Sequence, residues 1–419
     1  HRGRWDLYGA DANQGEPVGL EEPPTEDFET EPFVPAVSIT VDPEKGKKVK
    51  GRKLHIEDAN AAVGVDNEGN FLSMTYFTFT DQYGDRRFNL LFDSIDTFSN
   101  FRVSYVNLRK RFQWGASIYD NRTFYRTGYD PVRGQFNDRE QIYRVTAATV
   151  DGVYPLSRYY RLQGNVGYYD RSAEYPVQDP FTGGVSFQTF EDRAPIVSGA
   201  VVGDTVSWQR YGPHQGARWE FRLSYSPDID EGGTLTQSVY LDARKYLALS
   251  RRNEIALRLF GAFASGNRPV IYGIGGADTV RGFPIRSLAG NQVAFANVEW
   301  RFPLFDRIDL AFMSLGQVRG RFFLDVGMSC YSPDEGQEYN DLGQPGCTFI
   351  GETDVNDPIT GETVTVGESG RLTDGVSTYG FGFTIYVFGL PMHWDFIKRW
   401  DFKETLGSTE VDFWIGTRF

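Results

Sequence analysis

The chain has little of what most enzymes and metal proteins use. Of 419 residues only 2 are Cys, 4 are Met and 4 are His. His1, His55, His214 and His393 are scattered, and none belongs to a Ser/His/Asp or HExxH pattern. There is no Gly-x-Ser-x-Gly elbow and no phosphate-binding P-loop, so the sequence reads as neither enzyme nor cofactor binder. Two cysteines without a neighbouring histidine do not make a zinc site. No stretch offers the ~18–20 uninterrupted apolar residues that a transmembrane helix needs. Lys and Arg number 43 against 56 Asp and Glu, a net charge of −13, which argues against a nucleic-acid partner.

What is abundant is glycine, at 46 residues, and aromatic side chains, at 15%. That balance suits many strands joined by glycine-rich turns. Mean hydropathy is −0.42, which a transmembrane β-barrel tolerates because it hides its apolar surface in every second residue. The acidity is uneven. Trp5 to Glu44 holds 11 acidic residues and no Lys or Arg, with Pro23, Pro24, Pro32 and Pro35. Such a stretch buries too little apolar surface to fold alone, so residues 1–52 read as an irregular arm or linker. Lys45, Lys47, Lys48, Lys50, Arg52 and Lys53 follow, either as a solvated flank or as a contact for anionic lipid headgroups or an acidic partner. The sequence begins at His1, without an initiator Met or signal peptide. This is expected of a mature chain cut from a precursor, or of one lacking an N-terminal part.

From residue 53 the pattern turns regular. Ala217, Trp219, Phe221, Leu223 and Tyr225 alternate with Arg218, Glu220, Arg222 and Ser224. Tyr160, Leu162, Val166 and Tyr168 alternate with Arg161, Gln163 and Asn165. This is the period of a strand with one oily and one wet face. A soluble β-sandwich alternates too. Two features favour a barrel in a membrane: wet faces that carry Arg and Glu together, and Tyr and Trp near strand ends. Connections also alternate in length. Short turns fall near 151–157, 210–215, 248–253 and 389–391, and long polar loops near 127–138, 171–193, 266–290 and 329–375. The expected fold is therefore all-β, a transmembrane antiparallel barrel over 53–419. Its strands are expected at 53–64, 70–80, 85–93, 99–108, 111–125, 139–150, 157–170, 194–209, 216–226, 234–247, 253–265, 291–302, 316–328, 375–388, 392–401 and 409–419, sixteen in all. Phe413, Ile415 and the terminal Phe419 look like the assembly signal of bacterial outer-membrane barrels. Cys330 and Cys347, 17 residues apart in one long loop, are expected to pair in an oxidising compartment. The carboxylates of Asp228–Glu231 and Asp354–Asp357 could hold Ca²⁺ weakly, but solvated loops explain them better.

One set of motifs narrows the reading. Gly273-Ile-Gly-Gly-Ala-Asp-Thr-Val280-Arg281-Gly282-Phe283 is followed by a strand with Asn297-Val-Glu299-Trp-Arg, and then by Phe323-Leu-Asp325-Val-Gly327. In order and spacing these resemble the superfamily of BamA, TamA and the two-partner-secretion transporters. On alternation, Ala294, Ala296, Val298, Trp300 and Phe302 face lipid, so Glu299 points inward; likewise Asp325 opposes Phe322, Leu324 and Val326. A loop carrying Arg281 into the lumen would meet both carboxylates, and the resemblance implies such a lock. It also implies a role in inserting or translocating proteins at the bacterial outer membrane, with lipids, client proteins and periplasmic domains as partners, a periplasmic arm and extracellular long loops. The ~52 residues before the first strand are shorter than one POTRA domain, the usual client-receiving module of that superfamily. Activity would then rest on the seam between first and last strands, or on a separate receiving chain. Asp81-Gln-Tyr-Gly-Asp85, Tyr105-Val-Asn-Leu-Arg109 and Trp114-Gly115 loosely resemble members that follow a TolB-like propeller. Two rivals remain: a passive channel, and a structural barrel anchoring a periplasmic or surface partner.

Overall fold

The computed structural model describes residues 53–65, 71–95, 98–126, 129–130, 135–136, 140–178, 185–209, 212–306, 308–309, 314–315, 318–332, 347–356, 363–387 and 390–415. The acidic arm and Phe419 lie outside the described residues. Among those described, every regular element is a strand.

Sixteen strands form one antiparallel wall. They are β1 His55–Val65, β2 Phe71–Thr80, β3 Arg86–Ile95, β4 Phe98–Asn107 and β5 Gln113–Arg126. Next come β6 Glu140–Pro155, β7 Tyr160–Gln178, β8 Val185–Asp204, β9 Gly212–Pro227, β10 Thr234–Ala248 and β11 Glu254–Ser265. The last five are β12 Gln292–Phe305, β13 Val318–Cys330, β14 Gly375–Val387, β15 Leu390–Trp400 and β16 Thr405–Ile415. Each pairs with the next in sequence, and β1 meets β16 at Val65 opposite Ile415.

The strands fall where the alternation places them, with one correction. Residues 171–193, expected as a long polar loop, are mostly wall: β7 and β8 stay in register from Gln178–Val185 down to Tyr160–Gly203. At 19 and 20 residues they exceed the ~9–11 that cross a bilayer. The part beyond the apolar band needs no oily face, so its polar sequence resembles a loop. The loops also carry strands of their own. Ser207–Gln209 pairs with the start of β9, Tyr272–Ile274 with Leu288–Gly290, and Ile350–Asn356 with Thr363–Leu372.

The outer face is apolar and uncovered. Phe221, Leu223, Leu259, Val298, Trp300, Phe322 and Leu324 are exposed on neighbouring strands. A continuous surface of this kind belongs against lipid rather than water. At one end of β12–β15 it becomes an aromatic belt: Trp300, Phe302, Phe322 and Phe381 meet in succession with ring centres 4.9, 5.5 and 5.3 Å apart, and Phe383 stacks on Trp394.

The inner face has two characters. Along β2–β8 small polar groups bonded from strand to strand prevail, Thr78 to Asn89, Asn89 to Ser104, Ser117 to the Asp151 carboxylate and Ser198 to Asn165, beside one buried pair, Arg171–Asp192. Along β9–β15 it carries guanidinium and carboxylate pairs, among them Arg244–Asp242, Arg301–Glu299 and Arg321–Asp395. The loop between β11 and β12 packs against this second wall.

Candidate functional site

The loop from Gly266 to Asn291 turns back inside the ring of strands. Its backbone uses left-handed conformations that suit glycine: φ is +115° at Gly275, +91° at Gly276 and +76° at Gly282. The turn is closed by Gly275 N–H donating to Thr279 Oγ1 (2.7 Å) and Gly276 N–H to the Phe283 carbonyl (2.8 Å). This presents Val280, Arg281, Gly282 and Phe283 as a tip. Val280 and Phe283 join Ile274, Leu288, Ala262, Val293 and Phe295 in one buried apolar cluster. The tip is thus held by apolar packing before any charge is counted.

Arg281 is fully buried. Its Nε and Nη2 donate to the two oxygens of Asp325 at 2.6 and 2.5 Å, and its backbone N–H donates to Asp325 Oδ2 at 3.2 Å. Nη1 lies 2.8 Å from Glu299 Oε1. The guanidinium sits 3.6 Å above the Phe323 ring. A bidentate fork of this kind, removed from water, is the strong form of the Arg–carboxylate contact. Asn297 completes it, donating to Asp325 Oδ1 (2.8 Å) and to the Thr279 carbonyl (2.6 Å). The structure therefore brings together Val280, Arg281, Gly282, Phe283, Glu299 and Asp325. On the other side, Arg399 of β15 donates to the Gly282 carbonyl through Nε (3.0 Å) and Nη2 (2.6 Å), and its guanidinium lies 4.6 Å from the Phe283 ring centre.

The charge network continues along the wall. Glu299 also pairs with Arg301 (2.7 Å), and Glu254 meets Arg319 (3.1 Å) and His214 Nδ1 (2.9 Å). Arg321 binds Asp395 (2.6 Å) beside His393, whose ring stacks on Trp414 at 3.7 Å. Arg258 bonds Asp242 and reaches the Asp278 carbonyl of the loop (2.8 Å). The loop's first residues are tied to the opposite wall. Arg268 pairs with Asp192 and with Glu231 (3.0 Å), Arg171 donates to the Arg268 carbonyl (2.9 Å), and Tyr125 donates to the Ile271 carbonyl (2.7 Å). Asn267 donates to Asp228 (2.9 Å). The amides of Glu231 and Asp230, with Asn267, hold the Asp228 carboxyl below its ordinary 3.8. That carboxylate therefore serves as a turn cap.

Cys330 and Cys347 are joined, which ties a point 17 residues into the long loop to the end of β13. Phe413 and Ile415 lie on β16; Phe419 falls outside the described residues. Asp81 caps the β2–β3 turn, accepting from the Asp85 amide at 3.0 Å.

No family model and no curated protein matches the chain. Solved structures do. BamA from Haemophilus ducreyi lacking POTRA domains 1–3 is 14% identical, with a TM-score of 0.59 over 86% of this chain and 70% of that one. CdiB from Escherichia coli is 11% identical, with a TM-score of 0.51 over 85% of this chain and 62% of that one. The chain has the fold of these outer-membrane barrels. At such identities the likeness is one of fold.

The sequence reading names Asn297, Phe323 and Gly327 within its motifs without giving them a part in holding the tip, and it overlooks Arg399 and Gly380. The glycine signal was in plain view, since Phe323-x-Asp325-x-Gly327 places Gly327 on the same inward face as Asp325. A Cβ on Gly380 would lie 2.6 Å from Phe323 Cζ, so Gly380 makes room for the ring beneath Arg281.

Proposed function

We propose that this barrel resides in the bacterial outer membrane and assists the insertion or translocation of proteins there, with the Arg281 loop acting as a lumenal lock. The observation that carries the reading is Arg281 seated between Asp325 and Glu299 inside a sixteen-stranded barrel of the BamA and CdiB fold. A fully paired, dehydrated clasp keeps the lumen occupied and holds β11–β15 as one rigid sector. Client release then falls to the seam between β1 and β16. One observation supports that assignment: the β1 residues from His55 to Val63 are all exposed. In this reading the short turns and residues 1–52 face the periplasm, the long loops face outward, and the partners are outer-membrane lipids, client barrel or surface proteins, and a periplasmic receiving domain.

The test is quantitative proteomics of the outer membrane after depletion of this protein. A broad fall in other barrels would mark a general insertase. Loss of one or a few surface proteins would mark a dedicated translocator. An unchanged outer membrane would sink the assembly reading.

A further inference from the structure

Strands β9–β13 turn an almost uncharged face outward. Trp219, Leu241, Leu259, Val298 and Leu324 fix its phase, and by alternation every side chain on it is apolar or neutral except Lys245 of β10. Lys245 is exposed, between Arg244, which pairs inward with Asp242, and buried Tyr246. Ala217 and Leu257 stand directly across from it, with Trp219, Ile255 and Leu259 on the diagonals. Its own face therefore offers no counter-charge. A lysine on the lipid side of a barrel is costly at the bilayer midplane and nearly free at the interface.

The register gives its height on the wall. β10 closes at Ala248, and the next row toward that end holds Leu247, Ile255 and Trp300, where the aromatic belt begins. Such belts mark the interface, so the Lys245 stem can carry its ammonium to headgroup level. In the other direction, toward the middle of the bilayer, an open groove of about 580 Å³ runs along the same face. Nine of the twelve residues that line it point outward; the other three, Arg244, Arg258 and Asn297, belong to the same strands. The groove exists because small side chains alternate with large ones across the strands: Ala243 sits between Trp219 and Leu259, and Ala296 lies beyond Leu259. Its volume is within the roughly 300–1,000 Å³ of small-molecule pockets. An apolar trough with a lone cation at its interfacial mouth is complementary to a molecule with an anionic head and a long apolar tail.

We propose that Lys245 and this groove bind one anionic phospholipid from the leaflet on the short-turn side, with its phosphate on the Lys245 ammonium and an acyl chain along Ala243. The charge selects the head, because a cation at the membrane surface attracts anionic lipids; the trough holds the chain. The site lies outside the wall, separate from the Arg281 clasp. It rests on the barrel's place in a membrane and not on what it inserts or translocates.

The test is native mass spectrometry of the full chain folded in detergent, given equal amounts of phosphatidylglycerol and phosphatidylcholine with the same acyl chains. Wild type should retain one lipid, with phosphatidylglycerol favoured about fivefold, the effect of one lysine at a membrane surface. Lys245→Gln should bring that ratio close to one while still holding phosphatidylcholine, because the trough is intact. Ala243→Phe fills the trough from the lipid side and should lose both lipids although the charge remains. Lys398→Gln, at the outward position opposite Tyr379 near the long-loop end of β15, should behave as wild type does. Heat-modified migration on gels checks that each variant is folded. An equal ratio in wild type, or an unchanged preference in Lys245→Gln, would overturn the site. So would a second copy of the chain in place of bound lipid, since the groove would then be an interface between barrels.

Discussion

Gly327 lies directly against Val280: a Cβ on Gly327 would stand 2.8 Å from Val280 Cγ2. The last residue of the Phe-x-Asp-x-Gly strand therefore supports the clasp as directly as Asp325 does, by leaving space for the residue beside Arg281. Phe323 lies under the guanidinium, Asp325 binds it, and Gly327 admits Val280. Three alternate inward positions on β13 thus receive one loop tip.

The first prediction concerns that space. Gly327→Ala should push Val280 from its pocket and lift Arg281 off Asp325, at a cost of about 1–3 kcal/mol of barrel stability, as overpacking does. Gly327→Ala combined with Val280→Ala should regain most of the loss. Heat-modifiability on gels reads both, and a double variant no better than the single one would show that the pocket is not the cause.

Removing the cation should cost more. Arg281→Gln leaves buried Asp325 with only the Asn297 amide and Glu299 with only Arg301, a loss of about 3–5 kcal/mol. Arg281→Lys should fall between, since an ammonium cannot fork onto Asp325 and reach Glu299 together. Lower heat resistance and higher single-channel conductance are both expected of Arg281→Gln. If neither changes, the loop is not locked by this residue.

Arg281 anchors the tip on one side and Arg399 holds its Gly282 and Phe283 on the other, so their effects should not add. A cycle of Arg281→Ala, Arg399→Ala and the double variant should show a coupling of about 1–3 kcal/mol, the range for residues sharing one element. Additivity within about 0.5 kcal/mol would mean that the tip does not move as a unit.

Much of this was legible in sequence because a barrel wall is a local code. Strict alternation in Ala217–Tyr225 states both strand and facing, so the inward aim of Glu299 and Asp325 follows without any knowledge of their partners. The code fails where the membrane ends. Arg171–Gln178 and Val185–Arg193 have a polar sequence, yet they continue β7 and β8 in register. It also says nothing of contacts across the lumen. Arg399 is 117 residues from the carbonyl it holds, and Tyr125 is 146 from Ile271. Such pairs depend on how the loop folds back, which no periodicity encodes. The roles of Gly327 and Gly380 were missed for a related reason: they lie in the atoms these residues lack, and they show only once Val280 and Phe323 are in place.

The base of the loop gives the last prediction, through pH. Asp228 accepts the amides of Asp230 (3.1 Å) and Glu231 (2.9 Å) and the Asn267 side chain (2.9 Å). These bonds favour the ionised carboxyl and hold its pKa below the ordinary 3.8. The unfolded chain binds this proton more readily than the folded one. The stabilisation is therefore fully present above the unfolded pKa and is lost as pH falls through the lower, folded one. At neutral pH Asp228→Asn should lower the unfolding free energy by about 1–2 kcal/mol, the range for charge-assisted bonds at a turn. The difference between variant and wild type should shrink steadily as pH falls below about 4. Because the comparison is between two chains that share every other carboxylate, acid effects elsewhere cancel. A gap that stays constant to the lowest pH at which the barrel survives would mean that Asp228 acts through shape rather than charge. The tie from the β9–β10 turn to Asn267 would then not be the one that holds the loop's first residues.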